Sequence, residues 1–175
     1  TNRYLAPSVG VIAAAFPTLG RAPDKVRDRV QLVGNPVRPD IRALFDRAYA
    51  APVEGGPIHV LVTGGSQGAR VMSEIVPPAV ERIAPELRAR LAIVQQAREE
   101  DRASVEAAYA ALGVAAEVAP FFVDLPARLA GAHLVIARSG ASTVAELSVI
   151  GRPSILVPLP HALDSDQLRN AEALQ

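Results

Sequence analysis

Cysteine is absent from this chain of 175 residues. That excludes disulfides and thiolate metal sites and suits a reducing compartment. Histidine is scarce: His59, His133 and His161 are too scattered in sequence to suggest a metal cluster, and no other ligand spacing suggests one. Net charge is lacking as well, since 18 basic residues balance 18 acidic ones, so nothing in the overall charge points to nucleic acid. No apolar run approaches the roughly 20 residues needed to cross a bilayer. The apolar stretch at 7–17 is short and lacks a basic leader, so it reads as a buried strand rather than a signal peptide. What is present is ordinary for a globular domain with a sizeable core: half the residues are hydrophobic and about a fifth are charged. The first residue is not methionine and the chain ends in a helical pattern, so it is expected to be part of a longer protein.

Short apolar runs alternate with segments of helical period. Strands are predicted at 9–15, 30–33, 58–63, 91–95, 116–119, 133–137 and 155–157. Between them the spacing predicts a helix at 41–50, capped by Asp40, with Ile41, Leu44 and Phe45 on one face. Further helices are expected up to about Ile83, around Val105 to Leu112 with Gly113 as its stop, from Asp124 to about Ala130, at 143–150, and from Asp164 onward. Repeated strand–helix alternation with apolar strands implies an α/β fold, a Rossmann-like parallel sheet with helices on both faces.

In such a sheet ligands bind beyond the carboxyl ends of the strands, which directs attention to four loops. Gly64-Gly65-Ser66-Gln67-Gly68 joins a strand to a helix and suits either phosphate binding or a tight turn with Ser66 as a simple cap. It fits neither the dinucleotide fingerprint nor a P-loop. Arg138-Ser139-Gly140-Ala141-Ser142-Thr143 repeats that placement. Glu146, one turn into the helix, can accept both hydroxyls of a ribose, but Thr143-x-x-Glu146 is equally a capping box. Asp166 and Gln167 can bind sugar hydroxyls, while Asp164-x-x-Gln167 is again a capping-box pattern. Arg38, in a loop held extended by Pro36 and Pro39, can neutralise a phosphate or simply be solvated. No nucleophile–base arrangement and no paired carboxylates stand out.

Four segments, in order, resemble the MurG family of family 28 glycosyltransferases, which have the GT-B fold: GNPVR at 34–38, GGSQGAR at 64–70, RSGASTVAEL at 138–147 and GRPSILVPLPHALDSDQLRNA at 151–171. The resemblance covers essentially the whole chain. It implies an inverting enzyme that moves N-acetylglucosamine from UDP-N-acetylglucosamine to a lipid-linked peptidoglycan precursor at the inner face of the bacterial cytoplasmic membrane, without a metal or other cofactor. It implies that Arg38, Ser66 and Gln67 face the diphosphate or sugar, and that Ala141, Ser142, Thr143 and Glu146 wrap the nucleotide, with Glu146 on the ribose. Asp166 and Gln167 would contact the N-acetylglucosamine, and Phe122 would pair with uracil through its backbone. The general base and the acceptor site belong to the family's amino-terminal domain, so no catalytic residue, His161 included, is expected in this chain. Residues 1–16 would then be the last strand of that domain and the start of a linker, and residues 17–175 the donor domain, truncated at its carboxyl end. Alternatives are another GT-B UDP-sugar enzyme, such as a glycolipid glycosyltransferase or an epimerase, and a non-enzymatic nucleotide-binding subunit.

Overall fold

The structure, a computed structural model, describes residues 2–16, 23–65, 70–159 and 166–175. The chain divides into two compact units, Thr1–Pro36 and Val37–Gln175.

In the first unit a one-turn helix α1 (Asn2–Leu5) precedes β1 (Ile12–Ala14), which pairs in parallel with β2 (Val30–Leu32). Both strands are shorter than their apolar runs predict. Ala14 and Val26 are its buried apolar residues, and Arg29 donates to the carbonyls of Pro7 and Val9.

The second unit opens with α2 (Pro39–Arg42). This is a single turn rather than the helix expected at 41–50. Ile41 is fully buried, but Phe45 on the same face is 66% exposed, so a longer helix would lack the apolar seam that stabilises short helices. Asp40 still helps locally, its carboxylate accepting from the Ile41 amide at 2.9 Å.

Five parallel strands follow: β3 (Ile58–Thr63), β4 (Leu91–Gln96), β5 (Ala115–Ala119), β6 (Leu134–Ala137) and β7 (Ser154–Leu156). Their spatial order is β5-β4-β3-β6-β7. The register pairs Val60 with both Ile93 and Leu134, and Thr63 with Ala137. The connecting helices are α3 (Arg70–Glu81), α4 (Pro85–Arg88), α5 (Glu99–Ala111), α6 (Leu125–Gly131) and α7 (Ala141–Ile150), with α8 (Asp166–Leu174) after the last strand. The α4 turn went unpredicted.

Alternation along β3 builds two cores. Val60 and Val62 pack with Met72, Val76 and Val80 of α3 and Val105 and Tyr109 of α5. Leu61 faces the other way, against Ile41, Leu129 of α6, and Leu147 and Ile150 of α7. Helices therefore cover both faces, as the apolar character of the strands requires. Gly151 ends α7 in the left-handed conformation (φ 65°), where its amide bonds to the Leu147 carbonyl.

Candidate functional site

The order β5-β4-β3-β6-β7 reverses direction between β3 and β6, and this switch point is where a doubly wound sheet opens a crevice at its carboxyl edge. A cleft of about 410 Å³ lies there. Thr63 and Gly65 line it from β3, Gln96 from the end of β4, Phe121 and Phe122 from the loop after β5, and Gly140 through Thr143 with Glu146 from α7. Arg38 completes the wall.

Arg38 and Glu146 meet across 108 residues of sequence: the arginine Nε donates to the carboxylate Oε1 at 2.9 Å. The hydrogen bond to Glu146 raises the guanidinium pKa further above its ordinary value. The start of α7 excludes one of the two roles open to Glu146, the capping box. The N-cap of α7 is Gly140, so Thr143 is the third residue inside the helix and Glu146 lies too far along to close a capping box. The carboxylate is instead 16% exposed in the cleft wall. Ala141, Ser142 and Thr143 form the first turn of α7 beside it.

The floor of the cleft is a polar relay that the sequence pattern did not single out. Thr63 Oγ1 donates to Gln96 Oε1 at 2.9 Å, and Gln96 Nε2 donates to the Pro120 carbonyl at 3.0 Å. Both side chains are buried, so the relay fixes the loop that carries Phe121 and Phe122. Its one sequence signal was a pair of glutamines ending an otherwise apolar strand. The Phe122 ring is buried beneath the Arg128 guanidinium, 4.4 Å from its centroid. Arg128 also binds Glu117 at 2.6 and 2.9 Å and Asp124 at 2.8 Å. Asp124 occupies the N-cap position of α6 but spends its carboxylate on Arg128, which holds its pKa below the ordinary aspartate value.

Asp166 is exposed at the first turn of α8, and Gln167 Oε1 accepts from the Leu159 amide at 3.0 Å. Neither lines the cleft. Ser66, Gln67, His161 and Asp164 lie outside the described residues. Among the described residues no group of three or more His, Asp or Glu is placed to hold a metal, and no helix is long and apolar enough to cross a membrane.

The pattern of residues assigns no separate role to one cation beside the cleft. Arg138, immediately after β6, is 6% exposed, and among the described residues neither Nη1 nor Nη2 has a hydrogen-bond partner. Burial lowers its pKa from the ordinary arginine value. Its amide bonds weakly to the Thr63 carbonyl at 3.4 Å, and Gly140, two residues on, lines the cleft.

The description "Glycosyltransferase family 28 C-terminal domain" matches residues 59–175. The chain is 55% identical over 174 residues to a UDP-N-acetylglucosamine–N-acetylmuramyl-(pentapeptide) pyrophosphoryl-undecaprenol N-acetylglucosamine transferase of Phenylobacterium zucineum, and 58% identical to one so named from Methylobacterium sp. strain 4-46. Each alignment covers 99% of this chain, which spans about half the length of these relatives (48% and 47%). The crystal structure of Acinetobacter baumannii MurG superposes with a TM-score of 0.72 at 31% identity, over 98% of this chain and 46% of that one. The parallel sheet with helices on both faces is accordingly the carboxy-terminal half of a GT-B glycosyltransferase fold. The chain belongs to glycosyltransferase family 28, as its carboxy-terminal domain.

Proposed function

We propose that this chain is the donor-binding part of an inverting glycosyltransferase that moves N-acetylglucosamine from UDP-N-acetylglucosamine to undecaprenyl-pyrophosphoryl-N-acetylmuramoyl-pentapeptide, the lipid I to lipid II step of peptidoglycan synthesis. The observation that carries this reading is the Arg38–Glu146 pair set at the first turns of α7 in the switch-point cleft. A cation, a carboxylate and a helix amino terminus within one cleft match a nucleotide diphosphate. The helix end and Arg38 attract the phosphates, and the Glu146 carboxylate accepts from ribose hydroxyls. Two further features support it. Gly140, the N-cap of α7, has no Cβ, and one added there would meet no atom within 4 Å, which leaves room for a ligand to approach the backbone closely. The loop at Phe122 is tethered by Gln96 and Arg128, which suits a backbone edge that reads the uracil.

In the reaction an acceptor hydroxyl attacks the anomeric carbon, the bond from that carbon to the diphosphate oxygen breaks, and UDP leaves with the electron pair. The α7 amino terminus and Arg38 stabilise the charge gathering on the departing diphosphate, and the acceptor proton goes to a base in the amino-terminal domain of the whole protein. Ser66 and Gln67 with Arg38 hold the phosphates and sugar, and Asp166 and Gln167 contact the N-acetylglucosamine. In this scheme residues 1–16 close the acceptor domain and begin the linker, residues 17–175 make the donor domain, and the whole protein works peripherally at the cytoplasmic face of the inner membrane, where its lipid acceptor lies.

Isothermal titration of the chain with UDP-N-acetylglucosamine, UDP-glucose and UDP tests the reading. Binding of UDP, with preference for the N-acetylglucosamine donor over the glucose donor, is expected. Absence of UDP binding overturns the reading, and robust sugar transfer by this chain alone overturns the two-domain division of labour.

A further inference from the structure

Arg138 and Arg152 are the same kind of residue at the same depth, each 6% exposed, yet they stand in opposite condition. Arg152 gives Nε and Nη2 to the Ala130 carbonyl and Nη1 to the Ile150 carbonyl, at 2.9–3.2 Å. Among the described residues Arg138 finds no acceptor for its two terminal nitrogens. A buried guanidinium without acceptors costs folding free energy and returns none, so packing gives no reason for an arginine at this position. Its place supplies one. Arg138 is bracketed by two residues of the cleft wall, Thr63, whose carbonyl it bonds through its amide, and Gly140. It stands at the carboxyl edge of β6 next to the switch point. The cation that does line the wall, Arg38, is already matched by Glu146.

We infer that Arg138 is an anion-binding residue for the diphosphate of the nucleotide, a cation beside the cleft whose charge no acceptor among the described residues offsets, so that it is available to the phosphates. The inference rests on the nucleotide reading of the cleft. Because Glu146 offsets part of the charge of Arg38, a dianionic or trianionic diphosphate entering the cleft would otherwise meet one matched cation and the helix-end amides. Arg138 supplies the unmatched positive charge and a fork of donors suited to phosphate oxygens. The guanidinium is not part of the cleft wall as it stands, so its engagement requires a change of side-chain rotamer of the kind common on binding.

The experiment is titration of the chain and of its Arg138→Met and Arg138→Lys variants with UDP and with uridine, at two salt concentrations, alongside thermal melts without ligand. Met keeps the apolar stem without the charge, and Lys keeps the charge without the fork. The expected result is an Arg138→Met affinity for UDP lowered at least about tenfold, the order lost with a charged hydrogen bond, while its affinity for uridine is unchanged. Its unliganded melting temperature should equal or exceed that of the parent, and the salt dependence of UDP binding should weaken. Arg138→Lys should recover part of the UDP affinity. UDP affinity within twofold of the parent, or equal losses for UDP and uridine, overturns the inference and leaves the nucleotide reading intact. A lowered unliganded melting temperature in both variants also overturns it, since that marks a structural arginine. A parent chain that binds no UDP removes both.

Discussion

The two edges of the five-stranded sheet spend their polar residues differently. At the amino edge nearly every group is matched within the fold. The His59 amide donates to His133 Nδ1 at 2.9 Å, Tyr49 donates to the His133 carbonyl at 3.2 Å, Arg90 donates to the carbonyls of Gly56 and Val53, and Arg152 binds two carbonyls and stacks near the Tyr49 ring. At the carboxyl edge Arg138 and the Ser139 hydroxyl are buried without partners among the described residues, and the Arg38–Glu146 pair lines a cleft. Satisfied buried polar groups stabilise a fold, whereas each unsatisfied one costs stability and calls for an explanation. The topology of a doubly wound parallel sheet gives the same division, with ligands at the carboxyl edge.

The contrast can be broken most forcefully at Arg152. Arg152→Met strands the Ala130 and Ile150 carbonyls, and chemical denaturation should register a loss of about 3 kcal/mol, while UDP affinity of the folded protein stays as it was. A drop in UDP affinity without loss of stability would put function at the wrong edge. Next in size is Gln96→Leu, which leaves the buried Thr63 hydroxyl and the Pro120 carbonyl unmatched. Stability should fall by about 2 kcal/mol and uridine affinity should fall with it, because the loop at Phe122 is freed. Calorimetry with uridine checks the second part, and an unchanged affinity would separate the relay from the base subsite.

Glu146→Ala sharpens the comparison from the cleft side. The partner of Glu146 is half exposed, so their ion pair contributes about 1 kcal/mol or less to stability. UDP affinity should nevertheless drop about tenfold as the ribose acceptor is lost, and the melting temperature should barely move. A large melting shift with intact binding would make Glu146 structural. The smallest effect is expected at His133, whose pKa is lowered by burial and by the neighbouring His59. A histidine with a depressed folded-state pKa contributes stability that is complete above the unfolded value, about pH 6.5, and declines as the pH falls below it, because the unfolded chain takes up the proton first. His133→Asn keeps an acceptor without a titrating ring, so its melting temperature should fall less between neutral and mildly acidic pH. An identical decline in both proteins would assign the pH response elsewhere.

Much of this organisation was legible in the residues. The apolar runs at 58–63 and 91–95 became β3 and β4 almost to the residue, since a strand buried on both faces has no polar alternation to blur its limits. The helix at 41–50 was misread because local period cannot tell whether Phe45 will find a partner, and it does not. Glu146 was ambiguous for a related reason: Thr-x-x-Glu is a capping signal only when the threonine caps, and the helix begins at Ala141 instead. Arg38 was one loop arginine among many until the fold carried it to Glu146. Gln96 and Arg138 could not be ranked at all from sequence, because their meaning lies in which groups surround them.

The order of apolar runs, turns and glycines by itself determined a parallel α/β sheet with ligand-binding loops at one edge, because strand burial and helix period are written in neighbouring residues. Only the tertiary structure decided which polar groups are matched and which are left with unspent charge. Hydrogen bonding and burial depend on residues brought together from far apart in the chain, and no local pattern encodes that distance.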